Sequence, residues 1–274
     1  MFKNLAKLAC CLGLVNGTFL MCSQLKNDHS HNKMQHYNFL SENELHNLLN
    51  KHQNLSILNR NQTEHILSLM REANTDIVTF RKNADRLIRI LMEQALAQLE
   101  KQNSVKQSPL GFYDANEVKF SDQEICIVSI LRSGNAFLNE GLRVISGASI
   151  GQILIQRNEE TSMPKYFFEK LPENINEQQI ILVDPMLGTG GSASMALKIL
   201  KNYGVKEENI IFLTLVSCEQ GLNKVFKEHP NIRIITAQVD PILIKESNYL
   251  APGIGDFGDR YFGTVKKHTR SVQV

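Results

Sequence analysis

The chain has no tryptophan, only seven prolines among 274 residues, and no excess of charge of either sign. Scarce proline argues against low complexity, and no internal repeat is found. Lysine and arginine number 30 and aspartate and glutamate 28, so the formal net charge is +2. This balance gives no sign of a basic nucleic-acid-binding stripe, and we expect no nucleic-acid partner. An anionic small molecule needs only a local basic cluster, which the composition permits.

Cysteine is also scarce, and its five residues follow no disulfide-framework spacing. An odd number without such spacing argues against a disulfide scaffold and fits a reducing compartment. We therefore predict a cytoplasmic protein. Cys126 and Cys218 lie within apolar runs, which predicts that both are buried and inert.

The start of the chain carries no part of the strand and helix pattern found further on. A mostly apolar stretch from Leu8 to Cys22 resembles a short leader, and it is too short to predict a membrane span. A start of translation at Met21 or Met34 is the alternative. We expect residues 1–40 to be leader-like or disordered, which leaves a processed leader open.

The rest of the chain is long enough for one large α/β domain with a substantial core. Continuous apolar runs predict strands at Ile125–Leu131, Ile150–Ile155, Ile180–Val183, Ile210–Val216 and Ile232–Thr236. Helical periodicity lies between them at Phe137–Ile145, Ala193–Tyr203 and Glu219–His229. This alternation predicts a doubly wound parallel sheet covered on both faces.

A helical segment is predicted to precede this core. Within one domain over residues 41–274, residues 41–117 would form a helical hood and residues 118–274 the nucleotide-binding core. Apolar periodicity predicts one amphipathic helix around Ile66–Met70 and a longer one over Phe80–Leu99. A helix break is expected around residues 59–62, and residues 102–123 are expected to be loop-rich.

The most informative stretch runs from Ile180 to Ser194. An apolar run ends at Asp184, Thr-Gly-Gly-Ser follows at residues 189–192, and a helical pattern begins directly after it. Adjacent glycines let backbone N–H groups face an anion, and the helix adds the positive end of its dipole. No Gly-Lys-Ser/Thr is present, which disfavours ATP or GTP hydrolysis. The pattern predicts a phosphate-binding loop beside a carboxylate, which suits a sugar hydroxyl or Mg²⁺.

Two arginines follow predicted strands and therefore fall at the same edge of the sheet. Arg132 comes directly after one strand and shortly before Gly134, and Arg157 follows the next strand two residues after Ile155. A guanidinium group can bind two oxygens of a diphosphate at once. Arg132 alone would be expected at the surface, but sharing an edge with the phosphate-binding loop favours a ligand-binding role.

A fourth segment, Tyr249–Thr264, contains Gly253, Gly255 and Gly258 and formally matches the dinucleotide pattern G-x-G-x-x-G. That interpretation fails on context, because no helical run follows and too little chain remains for a βαβ unit. A rigid loop with exposed backbone groups is better suited to recognising a flat base. We call Tyr249–Thr264 the base loop.

These motifs together resemble the uracil phosphoribosyltransferases of the type I phosphoribosyltransferase family, over roughly Thr63 to Thr264. The likeness rests on Asp-Pro-Met-Leu-x-Thr-Gly-Gly-Ser at residues 184–192, Arg-x-Glu-Glu-Thr at 157–161 and the base loop. It is closest to the eukaryote-like branch. The resemblance implies conversion of uracil and 5-phospho-α-D-ribose 1-diphosphate to UMP and diphosphate in pyrimidine salvage. It also implies Mg²⁺ bound mainly through the substrate diphosphate, possible allosteric GTP, and a homodimer or homotetramer.

The resemblance further implies a role for individual residues. Catalytic roles would belong to Arg132, Asp184 and Asp256. Contacts to phosphoribosyl diphosphate are implied for Arg132, Arg157, Asp184, Pro185, Met186, Leu187, Gly188, Thr189, Gly190, Gly191, Ser192 and Asp256. Contacts to uracil are implied for Leu250 through its backbone, Gly255, Asp256 and Phe257.

Three departures from the family pattern keep a second hypothesis open. Gly188 stands where alanine is usual, one extra residue separates Arg132 from Gly141, and Asp240–Tyr249 is one residue longer. The alternative is a non-catalytic regulatory protein of the same fold that binds uracil or UMP without turnover. A third hypothesis, an orotate or purine phosphoribosyltransferase, is disfavoured by the base loop.

Overall fold

The apolar runs of the sequence form the central sheet of the molecule. The structure is a computed structural model that describes residues 36–157, 163–245 and 247–264. Its strands are β1 (Leu55–Ile57), β2 (Lys101–Ser108), β3 (Gly111–Val118), β4 (Ile125–Leu131), β5 (Ser149–Arg157), β6 (Pro164–Lys170), β7 (Gln179–Val183), β8 (Met186–Leu187), β9 (Ile210–Cys218), β10 (Arg233–Asp240), β11 (Ile242–Leu243) and β12 (Leu250–Ala251). Its helices are α1 (Glu42–Lys51), α2 (Arg60–Arg71), α3 (Ile77–Gln98), α4 (Ala136–Val144), α5 (Gly191–Asn202), α6 (Glu219–Glu228) and α7 (Phe257–Phe262).

The main sheet has the strand order β1-β10-β9-β7-β4-β5-β6, with β8 added beside β9. All of its pairs are parallel except β5 with β6, where the edge strand runs antiparallel. Every residue of β7 and β9 is buried, as expected for strands covered on both faces. The predicted doubly wound parallel sheet is therefore confirmed, and its five predicted strands correspond to β4, β5, β7, β9 and β10.

Side chains that alternate along each strand divide the core into two layers. In β4, Ile125 and Ile127 pack in the cluster that contains the buried faces of α2, α3 and α4. Cys126 and Val128 point the other way, into the cluster that contains α5, α6 and Leu48 of α1. The helices of the predicted hood thus cover the sheet, α1 on one face and α2 with α3 on the other.

The segment before the core differs from expectation in three places. Residues 102–123, predicted as loop, are mostly the antiparallel hairpin of β2 and β3. The break predicted at residues 59–62 lies earlier, because α2 begins at Arg60 with the Asn59 side chain as its cap. The short strand β1 occupies part of that break and pairs with β10. The predicted helices around Ile66–Met70 and Phe80–Leu99 are present as α2 and α3.

Both cysteines that were predicted to be inert are buried and free. Burial raises the pKa of the Cys126 thiol to about 11, so the reactive thiolate is scarce at neutral pH. Residues 1–35 of the predicted leader-like segment and residues 158–162 lie outside the described residues. No helix among the described residues is long and apolar enough to cross a membrane.

Candidate active site

A cavity of about 680 Å³ lies at the carboxyl ends of β4, β5 and β7, with the base loop on its other side. Ligands of open parallel sheets bind at this edge. Nine residues with predicted roles line the cavity: Arg132, Asp184, Pro185, Met186, Gly188, Ser192, Leu250, Asp256 and Phe257. Residues about 120 positions apart in the sequence are thereby brought to one site.

The phosphate-binding loop connects β7 to α5. Asp184 follows β7 directly, and its backbone N–H donates to the carbonyl of Leu213 (3.2 Å), which fixes the start of the loop. Gly190 has φ +77°, a left-handed conformation that lets α5 begin at Gly191. The first N–H groups of this twelve-residue helix therefore point out of its N-terminus beside Ser192, which lines the cavity. This arrangement suits an anion.

Four predicted contacts support the loop instead of lining the cavity. The Thr189 hydroxyl accepts a long hydrogen bond from the N–H of Gly191 (3.4 Å), a local contact within the turn. Leu187 and Gly190 are buried, and Gly191 packs against the ring of Pro164. The strand β5 extends two residues beyond its predicted end and includes Arg157, whose side chain lies outside the described part of the structure.

Gly221 is a site-building residue that sequence analysis missed. A Cβ at this position would lie 2.3 Å from the carbonyl oxygen of Gly188 and 3.0 Å from that of Leu187. Only glycine therefore lets the first turn of α6 pack against the phosphate-binding loop. A glycine in the first turn of an otherwise regular helix was the available signal.

The Cys218 thiol reinforces the same contact from the end of β9. Burial raises its pKa, and the charges of Asp240 and Glu219 act in the same direction. The thiol therefore stays protonated, and its Sγ donates to the carbonyl of Gly188 at 3.2 Å.

Arg132 lies at the rim of the cavity and reaches across to the end of the base loop. Its Nη2 donates to Asp259 (2.8 Å), its Nη1 donates to Thr264 (3.0 Å), and its guanidinium lies over the ring of Phe262. The side chain is about half exposed. Two of its five N–H donors are thus engaged by described residues, and a guanidinium at the rim can offer the others to a ligand.

The base loop is held in a compact shape by its own backbone and by a short helix. The sequence pattern predicted no helical run after Gly253 and Gly255, and this prediction was wrong, because α7 begins at Phe257. Asp256 caps that helix by accepting from the N–H of Asp259 (2.8 Å). The helix is only six residues long and no strand follows within the described residues, so no dinucleotide-binding βαβ unit is completed. Gly255 is exposed with φ +71° and does not line the cavity.

Several cavity-lining residues had no predicted role. Their backbone or side-chain atoms complete the wall around the predicted residues: Ile130, Leu131, Ser133, Leu154, Ile155, Gln156, Ser247, Asn248, Tyr249 and Gly258. Gly258 is the most constrained, because a Cβ there would lie 2.7 Å from the hydroxyl of Ser133. Nothing in the sequence pattern indicated that these two loops touch.

The described residues contain no group of three or more histidine, cysteine, aspartate or glutamate side chains that could hold a metal ion. Two carboxylates, Asp184 and Asp256, nevertheless line the cavity. One or two carboxylates together with substrate phosphates are the usual protein setting for Mg²⁺. The site therefore fits an ion that arrives with a phosphorylated substrate.

This fold and site define a class. A mostly parallel sheet carries a carboxylate and an anion-binding loop at its carboxyl edge, facing the base loop across one cavity, as in the type I phosphoribosyltransferases.

Comparison with known proteins gives the family. The uracil phosphoribosyltransferase profile matches residues 57–264, and the chain belongs to this family. It is 44% identical over 202 residues to the uracil phosphoribosyltransferase of Saccharomyces cerevisiae, covering 72% of this chain and 90% of the relative. It is 40% identical over 200 residues to that of Dictyostelium discoideum, covering 73% and 91%. Among solved structures, the AQ2163 protein of Aquifex aeolicus matches with a TM-score of 0.67 and 27% identity, covering 76% of this chain and 97% of that one.

Proposed function

We propose that this protein is a uracil phosphoribosyltransferase, which converts uracil and 5-phospho-α-D-ribose 1-diphosphate to UMP and diphosphate. The observation that carries the proposal is one cavity lined by both the phosphate-binding loop and the base loop of a chain in this family. In the reaction, a bond forms between ribose C1 and N1 of uracil while the bond from C1 to diphosphate breaks. Uracil N1 loses its proton to the departing diphosphate or to water.

The chain's residues bind and orient the reactants, and no protein nucleophile is needed. The N–H groups at the start of α5 would hold the 5′-phosphate, and Asp184, which lines the same cavity, is proposed to bind the ribose hydroxyls. As diphosphate leaves, positive charge grows on the ribose ring and negative charge on the leaving group. Arg132 stabilises that negative charge from the rim, and a fixed approach of the two substrates lowers the entropic cost.

Mg²⁺ bound to the diphosphate would supply further neutralisation of the leaving group. Asp184 and Asp256 are the residues that would hold it, directly or through water. Asp256 also lies where it can orient uracil. The side chain of Arg157 is proposed as a second diphosphate contact because of its position at the end of β5.

Uracil recognition is assigned to the base loop at Leu250, Asp256 and Phe257, which line the cavity, whereas Gly255 does not line it and would act only on the shape of the loop. Main-chain groups around Leu250 can pair with the alternating carbonyl and N–H groups of the pyrimidine edge. Cytosine presents an amino donor where uracil has an acceptor, so a fixed backbone would leave that pair mismatched.

The decisive experiment incubates the purified protein with phosphoribosyl diphosphate, Mg²⁺ and one base at a time. We expect UMP and diphosphate in equal amounts from uracil, and little product from cytosine, orotate, adenine or hypoxanthine. Faster turnover of orotate or a purine would replace the substrate assignment. Saturable binding of uracil or UMP without product would instead support a non-catalytic binding protein.

The departures that motivate the non-catalytic alternative are accommodated locally. The segment from Arg132 to Gly141, which contains the extra residue, is a 3₁₀ turn at Ser133–Asn135 that leads directly into α4, without a loop between them. A Cβ at Gly188 would lie 3.3 Å from Leu243 of β11, so glycine at this position lets the phosphate-binding loop pack closely against β11. The longer segment before Tyr249 connects β11 to β12, which pair as a small hairpin. These features favour the catalytic function.

Allosteric GTP, a homodimer or homotetramer, and a cytoplasmic location are proposed from family likeness and composition. Size-exclusion chromatography with light scattering tests the assembly, and activity measured with and without GTP tests the regulation.

A further inference from the structure

A buried ion pair lies behind the base loop, outside the cavity. Arg71 is the last residue of α2 and Asp240 the last of β10. Nη2 of the arginine donates to Oδ1 of the aspartate at 2.6 Å, and Nη1 donates to Oδ2 at 3.1 Å, a two-pronged geometry. The Asp240 side chain is fully buried and that of Arg71 is 11% exposed.

Both members of the pair also bind the backbone of Gly253. Nη1 of Arg71 donates to its carbonyl oxygen (2.6 Å), and its N–H donates to Oδ2 of Asp240 (3.0 Å). Gly253 has φ +64°, and a Cβ there would lie 2.1 Å from the carbonyl oxygen of Leu250. The tight turn that the pair fixes therefore sets the position of the Leu250 backbone, which lines the cavity.

The next residue of the loop is fixed in the same way. Nη1 of Arg260 donates to the carbonyl of Ile254 (2.7 Å) and to that of Met70 (2.5 Å), while Nη2 donates to that of Glu72 (2.7 Å). Two successive peptide groups of the base loop are thus joined to the end of α2. None of these arginine and aspartate side chains lines the cavity.

The pair is poorly explained as a source of stability alone. Removing two charges from water costs nearly as much as their attraction returns, and apolar residues of similar size would often serve as well. Nε of Arg71 is also buried without a hydrogen-bond partner among the described residues, which adds a cost. Apolar side chains would form no hydrogen bonds with the N–H and carbonyl of Gly253, so they could not fix the direction of these two groups.

We propose that Arg71 and Asp240 are positioning residues for base recognition: they hold the base loop in the one backbone conformation that accepts uracil. The inference rests on the proposed function, because it takes the base loop as the uracil site. It predicts that loosening the pair weakens uracil binding and selectivity while binding of phosphoribosyl diphosphate, on the other side of the cavity, is kept.

The test compares Arg71→Lys with Arg60→Lys in the full chain. Lysine keeps the charge next to Asp240 but loses the planar fork that also reaches Gly253. Arg60 is the matched control, because it lies on the same helix, pairs with exposed Glu64 (3.3 Å) and shares the Phe39 ring with Arg71 (5.4 Å), while among the described residues it bonds neither Asp240 nor Gly253. We expect Arg71→Lys to raise the KM for uracil roughly tenfold or more, as for a lost charge-assisted hydrogen bond. The KM for phosphoribosyl diphosphate should change less than twofold, and the preference for uracil over cytosine should fall.

The control should keep both KM values and the base preference. Equal kinetics of Arg71→Lys and wild type would overturn the inference, and so would equal rises of both KM values. Asp240→Asn, which removes the charge at nearly constant size, should give the same selective rise; if it does not fold, Arg71→Lys still decides. Absence of UMP formation by the wild type would overturn the proposed function instead, so the two failures are distinguishable.

Discussion

Arg132 forms hydrogen bonds within the fold and is also proposed to bind the substrate diphosphate. Its bonds to Asp259 and Thr264 tie the end of β4 to the residues of α7 and just beyond it, while the side chain stays at the rim of the cavity. A half-exposed pair of this kind contributes little to stability. Its larger effect is to restrict the guanidinium to one place before a ligand arrives, which lowers the entropic cost of binding.

Replacing Arg132 by lysine should therefore act on one substrate. A lysine keeps a point charge but cannot hold Asp259 and two diphosphate oxygens at once. We expect the KM for phosphoribosyl diphosphate to rise about tenfold or more, with the KM for uracil within about twofold. Initial rates measured with each substrate varied in turn give both constants.

Arg143→Lys is the matched control, since that arginine is exposed on α4 and pairs with Glu140 of the same helix. If the affinity for phosphoribosyl diphosphate is unchanged in Arg132→Lys, then Arg132 does not bind the diphosphate and its role is limited to the structural contact with α7.

At the scale of elements, Glu207 joins the ends of two helices below β9. Its Oε1 accepts from Lys201 of α5 (2.7 Å) and lies 3.0 Å from Nδ1 of His229, and its Oε2 accepts from the N–H of Asn231 (3.2 Å). Burial acts to raise the pKa of this carboxyl, but the bonds from Lys201, His229 and Asn231 outweigh it and lower the pKa below its usual 4.5.

The Glu207→Gln variant should accordingly be less stable in a pH-dependent way. A carboxyl with a lowered folded-state pKa stabilises the protein above its unfolded pKa, and that contribution is lost as pH falls through the folded value. We expect the free energy of unfolding to fall by about 2 kcal/mol at pH 7, and the deficit to shrink below about pH 4.5. Urea unfolding at several pH values measures both.

The neighbouring exposed Glu208 supplies the control as Glu208→Gln, which should change stability little at any of these pH values. A deficit of Glu207→Gln that stays constant down to pH 3 would mean that shape, and not charge, explains the effect.

Strands could be predicted from the sequence where burial of both faces requires a continuous run of apolar residues. The central strands β7 and β9 are buried throughout, so both faces need apolar residues and the sequence shows continuous runs. The hairpin of β2 and β3 is mostly exposed, so its polar residues carry no such signal and it was mistaken for loop. The strand β1 is only three residues long and β6 is an exposed edge strand, so neither has the long buried apolar run of a central strand, and both were missed.

At the scale of the whole molecule, local motifs located the site and long-range packing completed it. The phosphate-binding loop and the base loop each carry their own signature, because tight turns require particular residues at fixed spacing. The pairing of Arg71 with Asp240, which are 169 positions apart, leaves no local pattern in a single sequence. The contact of Gly221 with Gly188 leaves no such pattern either, because the sequence around each glycine reflects only the helix or loop to which it belongs.

The last residues of the predicted leader-like segment 1–40 contact the described domain, which leads to a prediction for two truncated proteins. Phe39 lies over the guanidinium of Arg71 at 5.2 Å, and Leu40 packs against the core layer that contains α5 and α6. A protein that starts at Met34 keeps both contacts, so we expect its melting temperature and kinetic constants to match those of the full chain. A protein that starts at Ser41 loses a cation–π contact worth about 0.5–1 kcal/mol at a partly exposed site. It should melt earlier and show a raised KM for uracil, because Arg71 holds the base loop. Loss of soluble protein or activity in the protein that starts at Met34 would show that the first 33 residues contribute to the fold. Equal melting temperatures and kinetic constants of the two truncated proteins would show that Phe39 does not support Arg71 or the base loop.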